Sequence, residues 1–126
     1  EPLGPVVRQN DAQWFNIVKW VSYSLVVSEE LGVTSANVDD MRKSTNPEVQ
    51  RLLSSKVTGA DGKEADNDFG KGLGLGPDWA YGAIKQVGNY GEIFERNLGQ
   101  GTKLKIARGQ NARWENGGLQ YALPIR

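Results

Sequence analysis

Gly88-Asn89-Tyr90-Gly91-Glu92-Ile93-Phe94-Glu95-Arg96-Asn97-Leu98-Gly99 reads as a helix stop, a helix start, a short amphipathic helix and a second stop. Glycine tolerates the left-handed backbone that ends a helix, so Gly88 and Gly99 punctuate the stretch. Asn89 is a preferred N-cap residue. Tyr90, Ile93, Phe94 and Leu98 recur at helical spacing and are expected to face a core.

Upstream, Pro77-Asp78 starts a preceding helix, with Trp79, Ala80, Ala83, Ile84 and Val87 on its apolar side. Asn46-Pro47-Glu48 starts another, which carries Val49, Leu52 and Leu53 and ends near Ser55. Ser35 is expected to cap a short helix over residues 36–43, with Asp39 and Asp40 favouring its first turn. Asn10 or Asp11 caps a long helix to about Leu31, and Gly32 stops it. In that helix Trp14, Ile17, Val18, Val21, Leu25 and Ser28 follow one face, while Phe15, Trp20, Tyr23, Val26 and Val27 occupy others. A helix apolar on several sides demands cover on several sides.

The remaining segments read as irregular or strand-like. Leu3 to Arg8 is expected to form a short strand, although Pro5 offers no N–H to a central ladder. Residues 58–76 read as a loop rich in Gly and Asp. Leu104-Lys105-Ile106 is expected as a second short strand, and residues 111–114 as a helical turn before a loop marked by Gly117, Gly118 and Pro124. The fold class is therefore mainly α with one or two short strands, in a single region spanning residues 1–126.

Composition narrows the chemistry. Hydrophobic residues make up 38% and charged residues 24%, as in a water-soluble globular protein. Fifteen basic and fifteen acidic residues cancel, which gives no electrostatic footprint for nucleic acid. Cysteine and histidine are both absent. That removes disulfides, thiolate metal sites and the commonest general base, and with them Ser-His-Asp, Cys-His and HExxH chemistry. A cysteine-free chain suits an oxidising compartment. No apolar run approaches the roughly 20 residues of a membrane span. No segment has the pattern of a signal peptide, and the chain opens at Glu1 rather than Met, so a processed protein, a natural fragment or a trimmed piece is expected.

Several local motifs invite a chemical reading and fail it. Gly70-Lys71-Gly72-Leu73-Gly74-Leu75-Gly76 lacks the spacing and the Ser or Thr of a phosphate loop, and reads as a flexible connector. Asp61, Glu64, Asp66 and Asp68 lack the ligand order of a calcium loop, and read as a solvated acidic loop. Adjacent helical residues do not face each other, so Asp39-Asp40 and Glu29-Glu30 read as helix-end charge rather than acid/base pairs. Trp14, Trp20 and Trp79 sit in helical apolar patterns and are expected in the core, whereas Trp114 is expected at the surface. Lys103, Lys105, Arg108 and Arg113 make the tail basic without the interleaved aromatics of a nucleic-acid reader. No catalytic residue, metal ligand or cofactor is assigned.

The stretch from Val87 to Asn97 resembles the closing helix of the general L-amino-acid-binding periplasmic proteins, the receptors of ABC importers. The likeness extends to Glu1–Arg8, to Asp11–Phe15, to Gly32-Val33-Thr34 and the insertion that follows, to Leu104–Gly109, and to Gly117–Ala122 with Pro124-Ile125-Arg126. The resemblance implies part of a lobe of a type II periplasmic-binding-protein α/β fold: the carboxyl-terminal part of lobe 1 plus a carboxyl-terminal extension. It also implies a periplasmic location, membrane subunits of an ABC transporter as partners of the whole receptor, and an L-amino acid as ligand only when the missing lobe is present. In relatives an Arg holds the ligand carboxylate, aromatic residues sandwich its side chain and an Asp near the hinge takes its ammonium group. Those segments precede Glu1, so none of these roles passes to a numbered residue here, and the ligand-binding residues stay unknown. A second copy of the chain, or a complementary amino-terminal fragment, is expected to complete the fold. The alternative is a truncated helical interaction protein that oligomerises and no longer serves transport.

Overall fold

The computed structural model describes residues 3–125; Glu1, Pro2 and Arg126, which end the two terminal blocks named above, lie outside the described residues. The order is α1 (Ala12–Glu30), α2 (Val38–Met41), α3 (Pro47–Leu53), β1 (Lys56–Thr58), β2 (Glu64–Asp66), α4 (Phe69–Gly72), α5 (Trp79–Val87) and α6 (Tyr90–Asn97), followed by 3₁₀ turns at Gly109–Asn111 and Trp114–Asn116. The architecture is mostly helical, with one two-stranded antiparallel sheet that pairs Val57 with Ala65.

Local chemistry explains the helix ends. The Asp11 carboxylate accepts the Trp14 N–H at 2.9 Å and starts α1. At the other end Gly32 sits at φ 68°, and two reverse hydrogen bonds close the helix: Gly32 N–H to the Glu29 carbonyl and Val33 N–H to the Ser28 carbonyl. Asn46 caps α3 by accepting the Glu48 N–H, with Pro47 at the first helical position. Gly88, at φ 79°, stops α5. The core lies between these helices. Val33, Val38, Val49, Leu52, Leu53, Ala80, Ile84 and Ile125 are buried together, and Trp20, Leu25, Val27 and Leu31 of α1 and its end pack against them.

The strands are not where the sequence reading placed them. Leu3–Arg8 forms no strand: Leu3 and Val6 are almost fully exposed, and among the described residues no neighbouring strand offers its backbone groups. Leu104–Ile106 forms none either. Lys105 takes a positive φ of 50° there, and the segment is tied to the end of α6 by the Ile106 N–H to the Leu98 carbonyl and by the Gln100 amide to the Lys105 carbonyl. The expected loop over residues 58–76 instead holds the tip and second strand of the β1–β2 hairpin, then α4. Gly59 N–H bonds the Lys63 carbonyl and Gly62 takes φ 76° to turn the chain. Gly70 is buried so closely that a Cβ there would lie 2.5 Å from the Gly76 carbonyl oxygen and 2.7 Å from Trp79. The Gly-rich run is thus a folded corner and not a loose connector.

Ser35 does not cap α2. Thr34 and Asn37 exchange hydrogen bonds across that turn, and Ser35 points elsewhere, to Glu92. Glu92 belongs to a capping box: Asn89 Oδ1 accepts the Glu92 N–H at 2.9 Å, and Glu92 Oε2 accepts the Asn89 N–H at 2.8 Å. The same carboxylate accepts the Ser35 hydroxyl at 2.6 Å and the Ser35 N–H at 3.1 Å. Asn89 Nδ2 donates to the Val33 carbonyl at 2.8 Å. One capping box therefore fastens the start of α6 to the turn that follows α1.

The tail from Ala107 onward crosses the carboxyl-terminal end of α1 as a strap. Arg108 forms a two-pronged ion pair with Glu29, at 2.9 and 3.1 Å. Arg113 donates to the carbonyls of Glu29 and Glu30 at 3.3 Å each, at the negative end of the helix, where the Glu29 carbonyl also accepts the Gly32 N–H. The strap folds on itself through Trp114 N–H to the Gln120 carbonyl and Gln120 N–H to the Ala112 carbonyl, and it buries Ala122 and Ile125. Glu30 lies beneath it, with Oε1 buried and unpartnered among the described residues. Burial first, then the facing Glu115, push the Glu30 carboxyl above the ordinary range, against the pull of Arg113.

Two carboxylates should therefore respond to pH with opposite signs. Burial opposes ionisation of Glu92, but hydrogen bonds from Ser35 and Asn89 outweigh it and lower its pKa. Its contribution is present above the unfolded pKa and is lost as pH falls through the folded one. Glu92→Ala should cost roughly 2 kcal/mol near neutrality, and chemical denaturation should show the deficit shrinking below about pH 4. Glu30 has a raised folded pKa, so folding is favoured at low pH and penalised as pH rises through that value. Glu30→Gln should raise the melting temperature at about pH 7.5 and leave it nearly unchanged at about pH 4.

Candidate functional site

Five of the acidic side chains singled out from sequence, Glu29, Asp39, Asp40, Asp61 and Asp66, go to separate partners. Asp39 accepts the Tyr81 hydroxyl at 2.8 Å and pairs with Lys85, and the Lys85 and then the Tyr81 hydrogen bonds hold its carboxyl below the ordinary range. Asp40 points instead to Lys43. Asp66 pairs with Lys56 across the hairpin, which lowers its pKa through that hydrogen bond. Asp61 accepts the Lys63 N–H within its own turn. Glu29 is held by Arg108 and is shielded from solvent, so the helix-end charge of Glu29 serves tertiary anchoring rather than solvation. Among the described residues, no three metal-ligating side chains converge.

The tryptophans divide by environment. Trp20, Phe69 and Trp79 form a cluster, with ring centroids 4.8 Å apart for Trp20 and Phe69 and 5.8 Å for Phe69 and Trp79. Tyr23 meets Trp20 edge-on at 5.5 Å. The sequence reading missed Phe69, which is partly buried and lies in the expected loop; its position four residues before the buried Leu73 is the signal available. Trp114 is exposed, as expected. Trp14 is not in the core: it is half exposed, in the first turn of α1, where residues 12–15 are all exposed.

That uncovered surface is the most site-like feature of the chain. Pro5, Val6 and Val7 run beside α1 and form an open groove of about 670 Å³ with Phe15, Val18 and Tyr23. Asn10, at φ 69°, makes the reversal that brings the segment back along the helix. Arg8, Asp11 and Lys19 are the charged residues on its lining. Val6 is 94% exposed and Phe15 52%, so an apolar floor faces solvent. The groove presents no convergent set of buried polar groups of the kind that fixes a small polar ligand. Its chemistry is that of a packing surface.

No family model matches the chain. Its whole length is 58% identical to 35% of the general L-amino acid-binding periplasmic protein AapJ of Rhizobium johnstonii. It is 50% identical, again over its whole length, to 35% of the glutamate/glutamine/aspartate/asparagine-binding protein BztA of Rhodobacter capsulatus. A solved periplasmic binding protein of an ABC transporter from Brucella ovis, with glutathione bound, superposes with a TM-score of 0.85 at 53% identity, over 95% of this chain and 35% of that one. The chain spans about a third of the length of the curated relatives it matches. No described helix is long and apolar enough to cross a membrane. By whole-length likeness in sequence, and by near-complete likeness in structure, the chain is a relative of the periplasmic amino-acid-binding proteins of ABC transporters, matching about one third of such a protein.

Proposed function

We propose that this chain is the carboxyl-terminal part of a periplasmic L-amino-acid receptor of an ABC import system, contributing the end of the first lobe and the extension beyond it. The observation that carries the reading is the 50–58% identity along the entire chain to proteins named for amino-acid binding. The uncovered groove on α1 supports it: an apolar helix face with a strand-like segment beside it needs the rest of a lobe for cover. In this reading the groups that grip the ligand lie on the remaining two thirds, and the chain is a scaffold rather than an enzyme. The whole receptor works in the periplasm and delivers its ligand to membrane subunits.

The ligand class follows from the relatives' names. General L-amino acids and the acidic amino acids with their amides share an α-ammonium and an α-carboxylate. The γ-glutamyl end of glutathione carries that same head. The proposed ligand of the whole receptor is therefore an L-α-amino acid head group, with a planar guanidinium on the missing part suited to its carboxylate. The rival reading, a truncated helical protein that oligomerises, draws on the same groove, which a second copy would cover in place of the missing lobe.

A ligand selective for the native state raises its melting temperature. L-glutamate or L-glutamine at millimolar concentration should leave the melting temperature of this chain alone unchanged. Mixed with the separately expressed remainder of the Rhizobium relative, the same ligands should raise it by several degrees. A shift for the chain alone would place a binding site within these 126 residues and overturn the reading.

A further inference from the structure

We infer that the outward side of Leu119–Leu123 in the strap is a docking strip for an apolar, strand-like segment of the other two thirds of the same receptor polypeptide. The inference rests on the reading proposed above and adds a contact separate from the groove on α1.

Exposure alternates along the strip. Leu119, Tyr121 and Leu123 are 72%, 62% and 51% exposed, while Ala122 is 4% exposed and Gln120 is half-buried. That is the two-residue period of a strand with one side on a core. The inner side is anchored by Ala122; the alternation ends at the exposed Pro124, after which Ile125 is buried in the core, and the strap is pinned to α1 by Arg108 and Arg113. Its outer side is therefore held in place rather than free to fold inward.

The backbone tells the same story. Gln120 is the last paired residue: its N–H goes to the Ala112 carbonyl and its carbonyl receives the Trp114 N–H. Among the described residues, the peptide groups of Tyr121, Ala122 and Leu123 make no hydrogen bond. An open edge of this kind is normally guarded by charge, a bulge or an early proline. Here residues 117–125 contain no charged side chain, and Pro124 comes only after the apolar row. An unguarded apolar edge is one that a partner covers, through main-chain pairing with pockets for alternate side chains.

The occupant follows from length. In the Brucella structure 95% of this chain corresponds to 35% of a longer chain, so this unit shares a polypeptide with a body about twice its size. A segment in the same polypeptide reaches the strip at a high effective concentration and outcompetes free partners. The lack of charge disfavours a nucleic acid or an anionic surface.

The test is a binding titration between this chain and the separately expressed remainder of the Rhizobium relative. Three variants of this chain are compared with it: Leu119→Ser/Tyr121→Ser/Leu123→Ser, the single Leu123→Lys, and Phe15→Asp in the groove. The strip side chains are exposed, so the melting temperature of the strip variants alone should stay within about 2 °C of the parent. The expected result is at least about tenfold weaker association for the triple variant, with a smaller loss for Leu123→Lys. Undiminished association of both strip variants, with loss for Phe15→Asp, would overturn the docking strip and leave the receptor reading standing. No association of the parent chain would overturn both. Self-association of the parent that the strip variants abolish would assign the strip to a second copy, and would overturn the occupant named here.

Discussion

Everything in this chain is arranged around a helix that it covers on one side only. α1 is apolar around most of its circumference, and its second half is satisfied: α5, α6, the core beneath them and the strap all meet it. Its first turns are not. Trp14 and Phe15 face solvent, and beside them lies a segment with strand-like residues and no strand to pair with. Burial of apolar surface is the main favourable term in folding, and the proposal that another part of a larger body covers this stretch rests on that term. The likeness to one third of a much longer receptor supports the same proposal from a different direction.

The covered half is held by a few polar fasteners placed at helix ends. The Asn89–Glu92 box serves as a cap and as a tether, because the Glu92 carboxylate reaches Ser35 and the Asn89 amide reaches the Val33 carbonyl. Arg108 and Arg113 do the equivalent work at the end of α1, one on a side-chain carboxylate and one on the helix carbonyls. Each fastener joins segments more than fifty residues apart. Helix termini carry free donors and acceptors wherever they occur, which makes them economical places to join distant parts of a chain.

Helix boundaries were legible in the sequence because caps are local. Asp11, Gly32, Asn46-Pro47 and Gly88-Asn89 act within three or four residues of themselves, and the structure puts each where that chemistry directs. The strands were misplaced because pairing is not local. Leu3–Arg8 has strand composition and, among the described residues, no strand beside it, whereas Lys56–Thr58 and Glu64–Asp66 are three residues long with one apolar residue each and pair through the turn at Gly59–Lys63. Ser35 was misassigned for a related reason: its partner is Glu92, far along the chain. Phe69 and the Gly70–Gly76 corner were hidden by glycine content, which marks loops and close packing alike. The surface role of Trp114 was legible; the groove was foreshadowed only by the surplus of apolar faces on α1.

The central claim is that the fold is completed by another polypeptide segment. Native mass spectrometry of the purified chain at low concentration, alone and mixed with the remainder of a relative, tests it most directly. The account predicts that mixing the chain with that remainder gives a one-to-one complex of the two parts. A chain that stays unpartnered both alone and on mixing would contradict it.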